Sequence, residues 1–146
     1  MKKLFILIFV CLILGCNKAS LRNADTSLQG NWTATEAAQY SGLIGNITLD
    51  TDPLVLIFAD ETVSYFLYTL NDPIDGEDAA YRLRRSKRNA GFTQEEVFTL
   101  TIEGVDYEVQ FGDQTSDAEQ NATRIRLVQD DSINNGGYLS MEFEKE

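Results

Sequence analysis

Five basic side chains, Arg82, Arg84, Arg85, Lys87 and Arg88, fall within seven consecutive positions of an otherwise acidic chain. Guanidinium groups pair readily with phosphate or sulfate oxygens, so one expectation is an anion site for a phosphate, a sulfated glycan or a lipid headgroup. The competing expectation is a strand end and turn whose charges are solvated and balanced by nearby acids. Just upstream, Asn71 to Asp78 (NDPIDGED) gathers the oxygen ligands that hard cations require. With Gly76 set at the sixth position of an EF-hand loop, Pro73 falls where an acidic ligand belongs and Arg82 where the bidentate glutamate belongs. No metal site is expected. The chain has no histidine, and its only cysteines are Cys11 and Cys16, so the commonest general base and transition-metal ligand is missing. Ser140 and the other serines stand in no Gly-x-Ser-x-Gly elbow, and no glycine loop is built to cradle phosphate. Carboxylates are plentiful, 23 acids against 12 bases, but a glycosidase-like pair needs a set separation across a cleft. The expectation is a non-enzyme with no catalytic residues and no cofactor. Its acidic balance, formally -11, repels nucleic acid phosphates and anionic lipid headgroups at long range.

The second chemical feature is Cys16. Lys2 and Lys3 precede an apolar run from Leu4 to Leu14, followed by Gly15, Cys16 and an abrupt polar stretch. The run is well short of the roughly 20 residues that cross a bilayer, and its layout is that of a secretory signal. Ile13-Leu14-Gly15-Cys16 resembles the lipobox of bacterial lipoproteins, although Leu14 is bulkier than that pattern usually carries. Cys11, with Phe9 and Val10 before it, has no small residue at the cleavage position. The resemblance implies a signal peptide over residues 1–15 and acylation (palmitate among the chains) of Cys16, which becomes the first mature residue. It also implies a membrane partner through that anchor, in the bacterial cell envelope and by expectation on the outer membrane. Removing Lys2 and Lys3 takes the formal charge from -11 to -13. With Cys11 removed and Cys16 blocked, no internal disulfide remains to stabilise the fold. Asn17 to Ser27 is polar, and residues 16–27 are expected to be anchor and linker ahead of one domain, 28–146.

That domain reads as a chain of hairpins. In Val97 to Phe111, Phe98, Leu100 and Ile102 share one face, as do Val105, Tyr107, Val109 and Phe111. A two-residue Glu103-Gly104 turn sets Ile102 opposite Val105 and Leu100 opposite Tyr107, so both apolar rows land on one side. Arg124 to Glu144 forms a second hairpin with Ile125, Leu127, Leu139, Met141 and Phe143 inward and Arg124 and Arg126 outward. Other strands are expected over Trp32 to Thr35, Asn46 to Asp50, Leu54 to Ala59, Val63 to Leu70 and Tyr81 to Arg85. Eight or nine short strands with near-neighbour connections predict an all-β, antiparallel up-and-down meander closed into a barrel, or folded as a sandwich. Leu54 to Leu70 carries large apolar groups on both faces. The favoured expectation is an outer face covered by a short helix over Glu36 to Tyr40; the alternative is a contact surface around Phe66 and Tyr68.

Gly30-Asn31-Trp32 opens the first strand with a Gly-x-Trp element, and Val105-Asp106-Tyr107 is similar to a Thr-Asp-Tyr motif with valine for threonine. In these residues the chain resembles the lipocalin-like (calycin) barrels. The resemblance implies a basic side chain over Trp32, with Arg124 or Arg126 the nearest candidates. It also implies an interior that could hold a small apolar or amphipathic ligand against Trp32, Phe98, Leu100, Tyr107 and Phe111. The chain is shorter than true lipocalins and lacks their C-terminal helix, and an eight-strand barrel can equally be filled by its own side chains. The leading expectation is therefore a lipid-anchored binding protein. The alternative is an envelope interaction or inhibitor protein acting through loops 71–80, 86–94 and 112–121 and through its outer face.

Overall fold

The computed structural model describes residues 21–112, 122–131 and 136–146. The signal segment, Cys16 and the first linker residues lie outside these, as do most of the 112–121 loop and residues 132–135 of the last turn. A short helix, α1 (residues 21–28), leads into nine strands: β1 (Gly30–Ser41), β2 (Gly45–Thr48), β3 (Val55–Ala59), β4 (Thr62–Leu67), β5 (Ile74–Ala90), β6 (Thr93–Ile102), β7 (Val105–Phe111), β8 (Arg124–Asp131) and β9 (Gly137–Lys145). Apart from β2, sequence neighbours are sheet neighbours, every pairing is antiparallel, and β1 also pairs with β9. The protein is thus all-β, a closed eight-strand barrel of lipocalin-like architecture. β2 is a flap on the far half of β1, from Ala38↔Thr48 to Ser41↔Gly45. Closure removes the long exposed edges that an open sheet of this length would carry.

The hairpins form where their turn chemistry dictates. Glu103 and Gly104 both take positive φ, 49° and 83°, which matches the twist of the flanking strands. Ile102 falls opposite Val105 and Leu100 opposite Tyr107, as expected. Ile125, Leu127, Leu139, Met141 and Phe143 are fully buried. Arg124 and Arg126 lie outside, paired with Glu144 and Glu142 across the ladder.

Two strands are longer than the sequence suggested, and each hides behind a bulge. In β1 the register shifts between Ala34 and Glu36, so the inward residues run Trp32, Ala34 and then Ala37, Gln39. The helix expected over Glu36 to Tyr40 is instead the second half of this strand. In β5 the shift opposite Val63 and Tyr65 leaves Ile74 and Gly76 inward before it, and Ala79, Tyr81 and Leu83 after it. A one-residue insertion flips every later side chain to the other face, which erases a simple alternation. Segments 71–80 and 86–94, expected to be loops, lie mostly in β5 and β6. The expected linker differs as well: residues 21–28 are helical, with Ala24 and Leu28 fully buried.

Candidate functional site

The barrel interior is the first place to look for a ligand. A void large enough for a water molecule would leave accessible wall on the side chains around it. Leu56, Leu67, Leu100, Ile102, Tyr107, Ile125, Leu127, Leu139, Met141 and Phe143 have none. Of the five interior candidates, Leu100 and Tyr107 are at 0%, Trp32 and Phe98 at 3% and 4%, and Phe111 is partly buried. Phe98 and Phe111 meet edge to face, with centroids 5.5 Å apart. These five residues are brought together as packing partners.

Both mouths are covered. At the end where β1 begins, α1 lies across the opening. Trp32 Nε1 donates to the Leu28 carbonyl at 2.7 Å, and the Tyr81 hydroxyl donates to Asp25 Oδ1 at 2.7 Å. Gln29 Nε2 donates to the Tyr81 oxygen at 2.9 Å and the Asp60 carbonyl at 3.0 Å. Burial first, and the hydrogen bond to Asp25 second, push the Tyr81 pKa up. The cation over Trp32 is Lys145, with Nζ 5.2 Å from the ring centroid and donating to the Ser27 carbonyl at 2.8 Å. This corrects the expectation for Arg124 or Arg126. The alternation that turns those arginines outward puts Lys145 in line with Leu139, Met141 and Phe143. Partial burial lowers the pKa of Lys145.

At the opposite end the β4–β5 turn folds inward. Leu70 is held by its own backbone: its carbonyl accepts from Gln39 Nε2 at 3.3 Å and its N–H donates to Gln129 Oε1 at 3.0 Å. The Tyr107 hydroxyl donates to the Tyr68 carbonyl at 3.0 Å, and burial raises the Tyr107 pKa. Surface clefts border the barrel, and among the described residues they include three. One of about 930 Å³ lies outside the Leu70 plug, with Gln39, Asp106 and Gln129 in its wall. Another of about 530 Å³ lies between α1 and β5, beside Leu21, Tyr81 and Leu83. Among the interior candidates only Phe111 borders any of the three, a cleft of about 260 Å³ with Arg124 and Arg126.

The basic cluster does not converge on one point. Its residues alternate across β5: Arg82, Arg84 and Arg88 face outward, while Arg85 and Lys87 share the face of Leu83. Arg84 reaches Asp106 at 2.7 Å, Arg88 reaches Glu95 at 3.2 Å and Glu108 at 3.0 Å, and Arg85 pairs with Glu96. The Thr101 hydroxyl, then Arg84, hold the Asp106 carboxyl below its ordinary range. The arrangement is a set of cross-strand ion pairs, and exposed pairs of this kind add little to stability because solvent screens them. Arg82 and Lys87 are exposed.

On the outer wall one ladder row runs Glu144, Thr33, Val55, Phe66, Asp75. Val55 and Ile57 are 40% and 39% exposed, so among the described residues nothing covers this strip, and the helix expected over Glu36 to Tyr40 to cover it is strand instead. Sequence reasoning missed three features. The first is α1, whose signal was Leu21, Ala24 and Leu28 at helical spacing. The second is the Leu70 plug, which has no local signature. The third is a fully exposed Phe92 at the β5–β6 tip. Among the described residues no cluster could hold a metal ion and no helix is long and apolar enough to cross a membrane. The strand order and the β1–β9 closure give a lipocalin-like barrel, here with a filled interior. No family model, curated protein or solved structure matches the chain.

Proposed function

We propose that this chain is a lipid-anchored, non-enzymatic protein of the bacterial cell envelope whose lipocalin-like barrel is a filled scaffold. It acts through its surface on another envelope component instead of carrying a small molecule inside. The observation that carries this is the absence of accessible wall on the central side chains, Leu100 and Tyr107 among them. The outer strip of Val55, Ile57 and Phe66, set between Glu144 and Asp75, is the kind of apolar patch with a charged rim that protein contacts use. Anchoring rests on the layout of Lys2, Lys3 and Leu4 to Cys16, and at about 0.8 kcal/mol per buried methylene two or three acyl chains hold a protein stably.

A small apolar ligand inside the barrel is the second reading, favoured by one feature. α1 is a separate element whose displacement would uncover Trp32 and the space of Leu28. Native mass spectrometry on the protein extracted from membranes separates the two. The expected result is an acyl mass on Cys16 and no small molecule retained. A stoichiometric ligand that survives purification would overturn the filled-scaffold reading, and a bare Cys16 would overturn the anchor.

A further inference from the structure

The β5–β6 hairpin outruns its neighbours. β4 pairs with β5 only as far as Thr62↔Ala80, and the β6–β7 ladder begins at Phe98↔Val109, so residues 86–97 form a two-stranded arm beyond both. Gly91, at φ 65°, reverses the chain at its tip, and Phe92 beside it is wholly in solvent. In an up-and-down barrel the turns alternate between ends, which places this tip at the end where β1 starts and where α1 enters. α1 in fact packs at the arm's root, with Asp25 bonded to Tyr81 and Leu21 beside Leu83.

Cys16 lies five positions before Leu21, a span of at most about 18 Å. From Arg85↔Phe98 to Ala90↔Thr93 the arm advances five residues, about 17 Å at strand rise. An acyl chain on Cys16 therefore holds this end of the barrel within an arm's length of the bilayer. The arm is also a neutral projection of an acidic molecule. Within residues 86–97 Lys87 and Arg88 balance Glu95 and Glu96, and with Arg88 bonded to Glu95 and Glu96 bonded to Arg85, Lys87 is the cation of the arm that stands outside these ion pairs. Lys87, exposed, is five residues from Phe92. We propose that the arm tip is a second membrane contact: Phe92 lodges in the headgroup layer of an anionic bilayer while Lys87 faces the lipid phosphates. The proposal rests on the anchor reading. The anchor raises the local concentration of bilayer at the tip, so a contact too weak to bind alone suffices.

The test uses the acylated protein in phosphatidylethanolamine–phosphatidylglycerol vesicles, with Phe92→Trp as a reporter. The lone native indole, Trp32, is buried and supplies a constant background. The added indole is expected to emit at shorter wavelength with lipid than without, and to be quenched by bromine on the lipid tails. Lys87→Glu should reduce that quenching several-fold, and so should high salt. Emission typical of water and no quenching on a chain whose intact mass shows the acyl groups would overturn the tip contact and leave the anchor standing. Blue-shifted emission before lipid is added would place Phe92 in a protein contact and overturn the proposal. Equal quenching in phosphatidylcholine would overturn the role of Lys87.

Discussion

Leu100→Ala measures whether the barrel is filled. Leu100 sits two residues before the end of β6, opposite Leu83 on one side and Tyr107 on the other, with no accessible surface. The substitution removes transfer free energy and leaves a hole in addition, and for buried leucines the two together cost about 2.7–5 kcal/mol. The neighbours of Leu100 are side chains of a closed ladder, which can relax inward only by bending strands. The expected cost is therefore in the upper half of that range, about 4 kcal/mol. For a domain of this size that corresponds to a fall in Tm of roughly 10 °C or more. Urea unfolding followed by Trp32 emission gives the number directly, because the single indole is buried and leaves its packing site only when α1 and the barrel end come apart. The midpoint should fall with the slope unchanged. A cost below about 1 kcal/mol at constant slope would mean that space already exists beside Leu100. That result would refute the filled interior and restore the ligand cup.

Tyr81→Phe removes the hydroxyl that joins Asp25 and Gln29, and is expected to cost about 1 kcal/mol and to raise hydrogen exchange selectively in residues 21–28. Gly76→Ala places a Cβ 2.9 Å from the ring and hydroxyl of Tyr65, so the ring must shift; a loss of about 1–3 kcal/mol in urea unfolding is expected. Alkaline pH should destabilise the fold. Burial raises the pKa of Tyr81 and Tyr107, and burial followed by the neighbouring Glu103 carboxylate pushes Tyr65 up to about 12. Above pH 10 the unfolded chain releases tyrosine protons that the folded one keeps, so the stabilisation is complete below about 10 and is lost as pH rises through the folded values. Urea midpoints taken from pH 8 to 11 should fall with a slope that Tyr107→Phe reduces.

The parts of the barrel that sequence exposed are those in which local turn chemistry and side-chain alternation agree. Glu103-Gly104 fixes its hairpin, and Phe98, Leu100 and Ile102 on one arm then face Val105, Tyr107 and Val109 on the other with no further information. β1 and β5 were only partly legible because each changes parity in mid-strand. Trp32 and Ala34 are inward, and so are Ala37 and Gln39, a sequence that neither a strand nor a helix period describes. The arginines of β5 added to the obscurity, since Arg85 occupies the inward row and Arg82, Arg84 and Arg88 the outer one. Clustering in sequence thus became separation in space. The five interior candidates were legible as a set, but whether they line a cavity or fill one depends on strand stagger and on what covers the ends. α1 and Leu70 supply those covers from outside the ladder pattern.

α1 connects the sealing of the barrel to the proposed tether. The chain after Cys16 leads into this helix, and among the described residues the helix is held by four bonds: Asp25 to Tyr81, the Ser27 carbonyl to Lys145, the Ser27 hydroxyl to the Ala122 N–H, and the Leu28 carbonyl to Trp32. Lys145 and Trp32 are themselves ladder partners in the β1–β9 seam that closes the barrel. A pull on the proposed anchor would therefore be met first by α1 and passed to the seam. The same holdfasts keep the mouth shut. Opening it for a ligand would require breaking all four, the Lys145 bond to a half-buried carbonyl included. A carrier that loads and unloads through this mouth would keep such a helix loosely attached. The density of bonds at α1 instead favours a fixed plug and a barrel that works from its outer surface.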